Sequence, residues 1–407
     1  MSYEYRLHRL ANGLTILAEC SPAAHTAAGG FFVRTGARDE PREIMGVSHF
    51  LEHMMFKGCA GLSAEQLNRA FDEIGARNNA YTSNEITCFY ADALPEQFPR
   101  ALELLGRMMR PTLAPEEFEV ERGVILEEIA MYHDNPFWVL FEETLERHFG
   151  NHPVSHRVLG TPQTIGAMRA EQMRAYFDAR YSPDNTVVAL AGNVDFEAAC
   201  RQLEALTASW SPTRADRDPR PPAIAGGTFE LRSEKVTQAY VLAMCPAPAM
   251  ADDRRYAASI LAHVLGGGDN SRLHWSLIEP GIADDAQASF DPHDGLGDFM
   301  VFATLHPARV DEAWEILERE MRTLSDSLEP ADLERLREKM ITSATINGER
   351  PHDRMQRLGR LWTYLGRYAT LEEELAMLSG VTLDNLRALR GEFPVRPVTV
   401  GRLLPAG

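Results

Sequence analysis

A chain of 407 residues is too long for one ordinary hydrophobic core, so two domains of roughly 200 residues each are expected. Its 44% hydrophobic and 25% charged residues exclude a disordered or fibrous chain. A formal net charge of −18 disfavours nucleic-acid binding, favours solubility and sets up a field that attracts basic peptides. The cysteines (Cys20, Cys59, Cys88, Cys200, Cys245) are scattered, odd in number and form no C-x-x-C pair. They read as small buried residues of a reducing compartment. No apolar signal-like region opens the chain, and no run approaches the roughly 20 apolar residues of a membrane span. A cytoplasmic protein without a membrane segment is the expectation.

Taken in order, residues 4–19 read as a hairpin turned at Asn12-Gly13, and AAGGFFV as a buried strand. A helix containing SHFLEHMMF follows, closed by Lys57-Gly58, and Ser63 caps the next, with Glu65 or Gln66 completing a capping box. ARNNAYTSNEITCFYADAL reads as one or two strands with Asn84 near a turn. LPEQFPRALELLGRMMR is helical, and Pro115 opens a long helix broken at Asp134-Asn135-Pro136. PFWVLFEETLERHF and TPQTIGAMRAEQMRAYFDARY are each one further helix, and NTVVALAGNV is a buried strand. Proline-rich, charged residues 213–227 form a linker between an N-terminal domain at 1–212 and a C-terminal domain at 228–407. Beyond it the element order begins again: an alternating stretch like the first hairpin, a helix ending in Gly266-Gly267-Gly268, and paired strands. Two long helices, one last helix and a short strand complete the chain. The second half reads as a diverged copy of the first, in an α+β class with antiparallel-rich sheets covered by helices.

Chemistry concentrates at GVSHFLEHMMFKG. His49 and His53, one helical turn apart, face the same way, and Glu52 lies three residues after His49. Two imidazoles so spaced can chelate one metal ion, with the carboxylate close enough to act on a metal-bound water; the order is that of inverted zinc-protease motifs. A third ligand is then required. The helix EVERGVILEEIAMYHD offers Glu121, Glu127 and Glu128; Glu121 and Glu128 are two turns apart on one face, beside Val124, Ile125 and Ile129. Glu128 is assigned as ligand and Glu121 as the group that orients a histidine. His148, His152 and His156 also recur every four residues, but Gly150 and Pro153 interrupt any helix, so they read as loop and surface histidines. The triple glycine is not followed by G-K-[ST] and reads as a turn.

Together SHFLEHMMFKG, NAYTSNEITCFY, ERGVILEEI, HPVSHRVLG and YSPDNTVVALAGNVD resemble the pitrilysin/insulinase family of zinc peptidases, family M16. The resemblance is to its class of subunits of about this length, typified by the mitochondrial processing peptidase and its bacterial relatives. It implies that His49, His53 and Glu128 bind one zinc per chain, that Glu52 is the general base, and that Glu121 is an accessory acid. It also implies that Asn79-Ala80-Tyr81-Thr82 is the edge strand on which a peptide substrate adds as an extra strand. The implied fold is two similar α/β domains facing one another across a substrate chamber, half of a clamshell. One feature departs from the family. Active members carry an arginine and a tyrosine seven residues apart in the C-terminal half; here Leu277 and Asp284 stand there. The resemblance therefore points to the zinc-bearing subunit of a heterodimeric endopeptidase whose homologous partner supplies that pair. Alternatives are a homodimer in which other residues substitute, a non-catalytic core subunit of the same family, or a processing peptidase dedicated to one precursor such as that of pyrroloquinoline quinone.

Overall fold

The computed structural model describes residues 2–218, 220–324 and 328–406. In the first half, β1 (Glu4–Arg9) and β2 (Thr15–Cys20) pair antiparallel across Asn12-Gly13, where Gly13 takes φ +99°. β3 (Ala27–Val33) is buried throughout and leads to α1 (Val47–Met55). Two short paired strands, β4 (Gly58–Cys59) and β5 (Leu62–Ser63), precede α2 (Ala64–Glu73). Ser63 caps α2, and Gln66 rather than Glu65 completes the capping box. β6 (Arg77–Thr82) and β7 (Thr87–Ala93) form a hairpin, followed by α3 (Phe98–Met108), α4 (Pro115–His133) and α5 (Pro136–Phe149). The expected single helix over residues 161–181 is two, α6 (Pro162–Ala167) and α7 (Ala170–Arg180), because Met168 and Arg169 adopt extended backbone. β8 (Thr186–Gly192) and α8 (Phe196–Thr207) end the half.

The second half runs β9 (Gly227–Ser233), β10 (Ala239–Ala247), α9 (Arg255–Gly266), β11 (Ala283–Pro292) and β12 (Gly297–Leu305). Then come α10 (Val310–Arg322), α11 (Pro330–Asn347), α12 (Pro351–Leu365), α13 (Leu371–Ser379), α14 (Leu383–Glu392) and β13 (Thr399–Pro405). Three helices thus stand where one was expected after α11, separated by caps at Gly366 and Gly380 and by N-caps at Thr370 and Thr382. The first sheet has the order β1-β2-β8-β3-β7-β6 and the second β11-β12-β10-β13-β9. Without β1, the first order is the second read backwards, and each sheet holds a parallel pair in the same place, β2 with β8 and β9 with β13. The two halves share one topology. β9 and β10 are therefore not a hairpin, because β13, from the far end of the chain, lies between them.

The chain forms two compact units that trade segments: residues 345–369 belong with the first, and residues 130–155 with the second. This differs from a linear split at the linker, and side-chain volume explains it. In the first unit α12 packs on β3, where a Cβ at Gly359 would lie 2.2 Å from the Phe32 ring and one at Gly30 2.7 Å from Met355 Sδ. Buried Glu19 on β2 draws in the same helix, accepting from Arg354 at 2.7 Å and also from Arg357. In the second unit α5 packs on β10 and β13, with Leu140 and Thr144 against Gly401. Each exchanged helix buries apolar residues against the sheet of the unit it joins: Met355 and Leu358 of α12 in the first, Leu140 and Leu145 of α5 in the second. Within the linker, Arg217, 6% exposed, pairs with Asp39 at 2.8 Å and donates to the Glu85 carbonyl at 2.6 Å. All five cysteines are free thiols, four of them buried.

The reading of His148 and His156 as surface residues is corrected. His156 is buried with Nδ1 3.0 Å from the Ala37 carbonyl. His148 ends α5 inside the second unit, Nδ1 2.8 Å from Thr399 Oγ1. Burial lowers the His148 pKa to about 4 from an ordinary 6.5. Between those values the unfolded chain binds a proton that the folded chain excludes, so stability falls as pH drops from 6.5 toward 4. The loss is up to about 3 kcal/mol. His148→Gln is expected to flatten this acid limb, read as urea midpoints at neutral and acid pH; an unchanged pH slope removes His148 as its source.

Candidate metal centre

The position of α1 is set at its N-terminus. Gly46 takes φ +95°, and a Cβ there would lie 2.6 Å from the Leu159 carbonyl oxygen. The buried carboxylate of Glu40 accepts from the Gly46 N–H at 2.6 Å and from the Ser48 N–H at 2.7 Å, satisfying donors that a helix start leaves open. Ser48 Oγ and Thr35 Oγ1 meet the Tyr176 hydroxyl at 3.0 and 2.8 Å. Phe50 stacks on Phe118 with ring centroids 4.7 Å apart, which ties α1 to α4. Two elements that carry ionisable residues are thus held side by side by an apolar contact.

Across that contact the side chains converge. Glu128 Oε2 lies 3.7 Å from His49 Nε2 and 3.6 Å from His53 Nε2. These are too long for hydrogen bonds. They approach the edge of a tetrahedron around a zinc ion with N and O ligands, roughly 3.4 Å. One ligand atom from each of His49, His53 and Glu128 lies within 4.8 Å of the others, a set that fits a metal ion. Burial, with His53 adding to it, lowers the His49 pKa to about 3, so the ring is the neutral form that ligates metals. Glu127, exposed, is not part of the group. Glu121, buried on the same helix, places Oε2 3.0 Å from His53 Nδ1, and Lys57 Nζ contacts its Oε1. Glu52 faces the edge strand: its Oε2 accepts from Thr82 Oγ1 at 2.6 Å, and burial raises its pKa.

Asn79-Ala80-Tyr81-Thr82 lie in β6, the edge strand of the first sheet opposite β1. The Ser83 N–H to Ile86 carbonyl bond sets the ladder phase, so Asn78, Ala80 and Thr82 direct their backbone groups to the open edge. The Ala80 N–H is capped by the Asn79 side chain at 2.9 Å. Tyr81 points to the opposite face and donates to Gln356 Oε1 at 3.0 Å. Leu277 is fully buried in its own unit. Asp284 sits where the register of β11 shifts against β12 and accepts from Gln238 at 2.7 Å. Three contacts escaped the sequence reading: Thr82 with Glu52, Lys57 with Glu121, and Glu40 beneath α1. None is encoded by a spacing, since each joins residues from different elements.

Residues 15–162 match the model "Insulinase (Peptidase family M16)", and residues 167–340 match "Peptidase M16 inactive domain". An uncharacterised zinc protease of Streptomyces coelicolor is 33% identical over 93% of this chain and 85% of its own length. Another, of Bacillus subtilis, is 30% identical over 97% of both chains. The crystal structure of a protease from Helicobacter pylori shares the fold, with a TM-score of 0.91 at 19% identity over 99% of each chain. The chain belongs to peptidase family M16.

Proposed function

We propose that this chain is a zinc-dependent endopeptidase acting on peptides or extended polypeptide segments. The observation that carries the reading is the convergence of His49 Nε2, His53 Nε2 and Glu128 Oε2 at 3.6–3.7 Å beside Glu52 and the open edge of β6. His49, His53 and Glu128 would hold one zinc, which when bound lowers the pKa of water toward about 7 and polarises a carbonyl. Glu121, through His53 Nδ1, turns the ring so that Nε2 faces the other two ligands. Glu52 accepts the proton of the attacking water and returns it to the nitrogen of the leaving amine. A substrate strand pairs with the outward groups of Asn78, Ala80 and Thr82, taking affinity from main-chain bonds with little dependence on sequence. Thr82 joins the two functions, since its side chain binds Glu52 and its backbone faces the edge.

A homologous partner subunit completes the site with an arginine and a tyrosine. Leucine has no donor and a carboxylate repels an oxyanion, so Leu277, packed in the core, and Asp284 cannot stabilise the tetrahedral intermediate. Five free thiols favour a cytoplasmic setting, and among the described residues no helix is long and apolar enough to cross a membrane.

Cleavage of an unfolded peptide by the zinc-loaded chain together with a homologous subunit that bears the arginine and tyrosine, lost on chelation and restored by zinc, tests the reading; cleavage that survives chelation sinks it. Ala80→Pro tests the edge strand. The substitution removes only an outward N–H, which edge strands tolerate. It is expected to raise KM by up to about tenfold while zinc content stays unchanged, corresponding to one lost charge-free hydrogen bond. An unaltered KM removes β6 as the docking strand.

A further inference from the structure

His49 and His53 are supported unequally. The His49 ring is held by burial, and its Nδ1 has no hydrogen-bond partner among the described residues. His53, more exposed, depends on Glu121 Oε2 at 3.0 Å. Glu121 is only 3% exposed, and a buried carboxylate with a single partner is costly and free to rotate away. Its other oxygen is taken by Lys57 Nζ. Backbone geometry delivers that lysine: its N–H bonds the Met54 carbonyl at 3.1 Å as α1 ends. Gly58 follows at φ +107°, where a Cβ would lie 2.8 Å from the Leu62 carbonyl oxygen. The residue thus leaves the last turn of the helix that bears both histidines and grips the helix that bears Glu128.

We propose that Lys57 is a positioning residue for the metal site: its ammonium clamps Glu121 Oε1, so that Glu121 Oε2 holds His53 with Nε2 toward His49 and Glu128. The inference rests on the zinc reading above. A clamp and a mere nearby charge make opposite predictions. Charge alone repels a dication, so losing it would tighten zinc; losing a clamp lets the ligand swing and weakens zinc.

The experiment is a chelator-competition measurement of zinc affinity for wild type, Lys57→Met, Lys57→Arg, Glu121→Gln and the Lys57→Met/Glu121→Gln pair, each checked for folding by circular dichroism. Lys57→Met is expected to weaken zinc about tenfold, the lower range for groups that orient a ligand. Lys57→Arg restores most of the affinity, because a guanidinium also pairs with a carboxylate. In the Glu121→Gln background, Lys57→Met has no further effect, since the lysine acts only through that carboxylate. Should Lys57→Met not fold, Lys57→Gln is read in its place with the same expectation. Unchanged or tighter zinc binding in Lys57→Met, or losses that multiply in the double variant, overturn the clamp while leaving the zinc site standing. A wild type that binds no zinc overturns the zinc reading and the clamp together.

Discussion

Glu52→Gln is expected to keep one zinc per chain and to lower kcat by about 10²–10⁴-fold, the range for loss of a positioned general base. The reasoning is local. Glutamine has the size of glutamate, and its amide oxygen can still accept from Thr82 Oγ1, now 2.6 Å from the carboxylate. What it cannot do is take a proton from water. Glu52 is not one of the three groups whose atoms converge, so metal content should not follow activity. Metal analysis and steady-state kinetics on the same preparation make the test. A variant that retains activity removes Glu52 as the base, and one that loses zinc moves it among the ligands.

Glu128→Gln is the complementary case. Here zinc affinity should fall by more than the about 10–100-fold typical of groups that only orient a ligand. Glu128 Oε2 is the atom that both Nε2 nitrogens face, at 3.7 and 3.6 Å, and a neutral amide is a poorer ligand than a carboxylate. A ligand that binds only the folded state stabilises it, by about 2.7 kcal/mol at a hundredfold excess over Kd. Added zinc should therefore raise the melting temperature of wild type and not that of the variant. Undiminished zinc occupancy would point to Glu127 or another donor in place of Glu128.

The two helices that carry the candidate site residues were readable because they obey local periods. His49, Glu52 and His53 share one helix, and Glu121 and Glu128 share another, so the 3.6-residue repeat alone says which of them face together. β6 and β7 were readable as strands on either side of a turn, and the duplicated halves as a repeated order of elements. Single-residue punctuation misled in several places. The extended backbone at Met168 and Arg169 divided one expected helix, and caps divided another. The break at Gly150 suggested surface histidines, yet His148 is the last buried turn of α5, and burial follows from what packs on a helix rather than from where it stops.

By itself, then, the amino-acid order determined the two metal-spaced helices, the strand that flanks them and the family resemblance, since each depends on residues a few positions apart. Only the tertiary structure decided that β13 separates β9 from β10, that α5 and α12 are traded between units, and that Thr82 reaches Glu52 while Lys57 reaches Glu121. These pairings join residues distant along the chain. They are settled by which faces can be covered without voids and which buried charges find partners, quantities that no local repeat encodes.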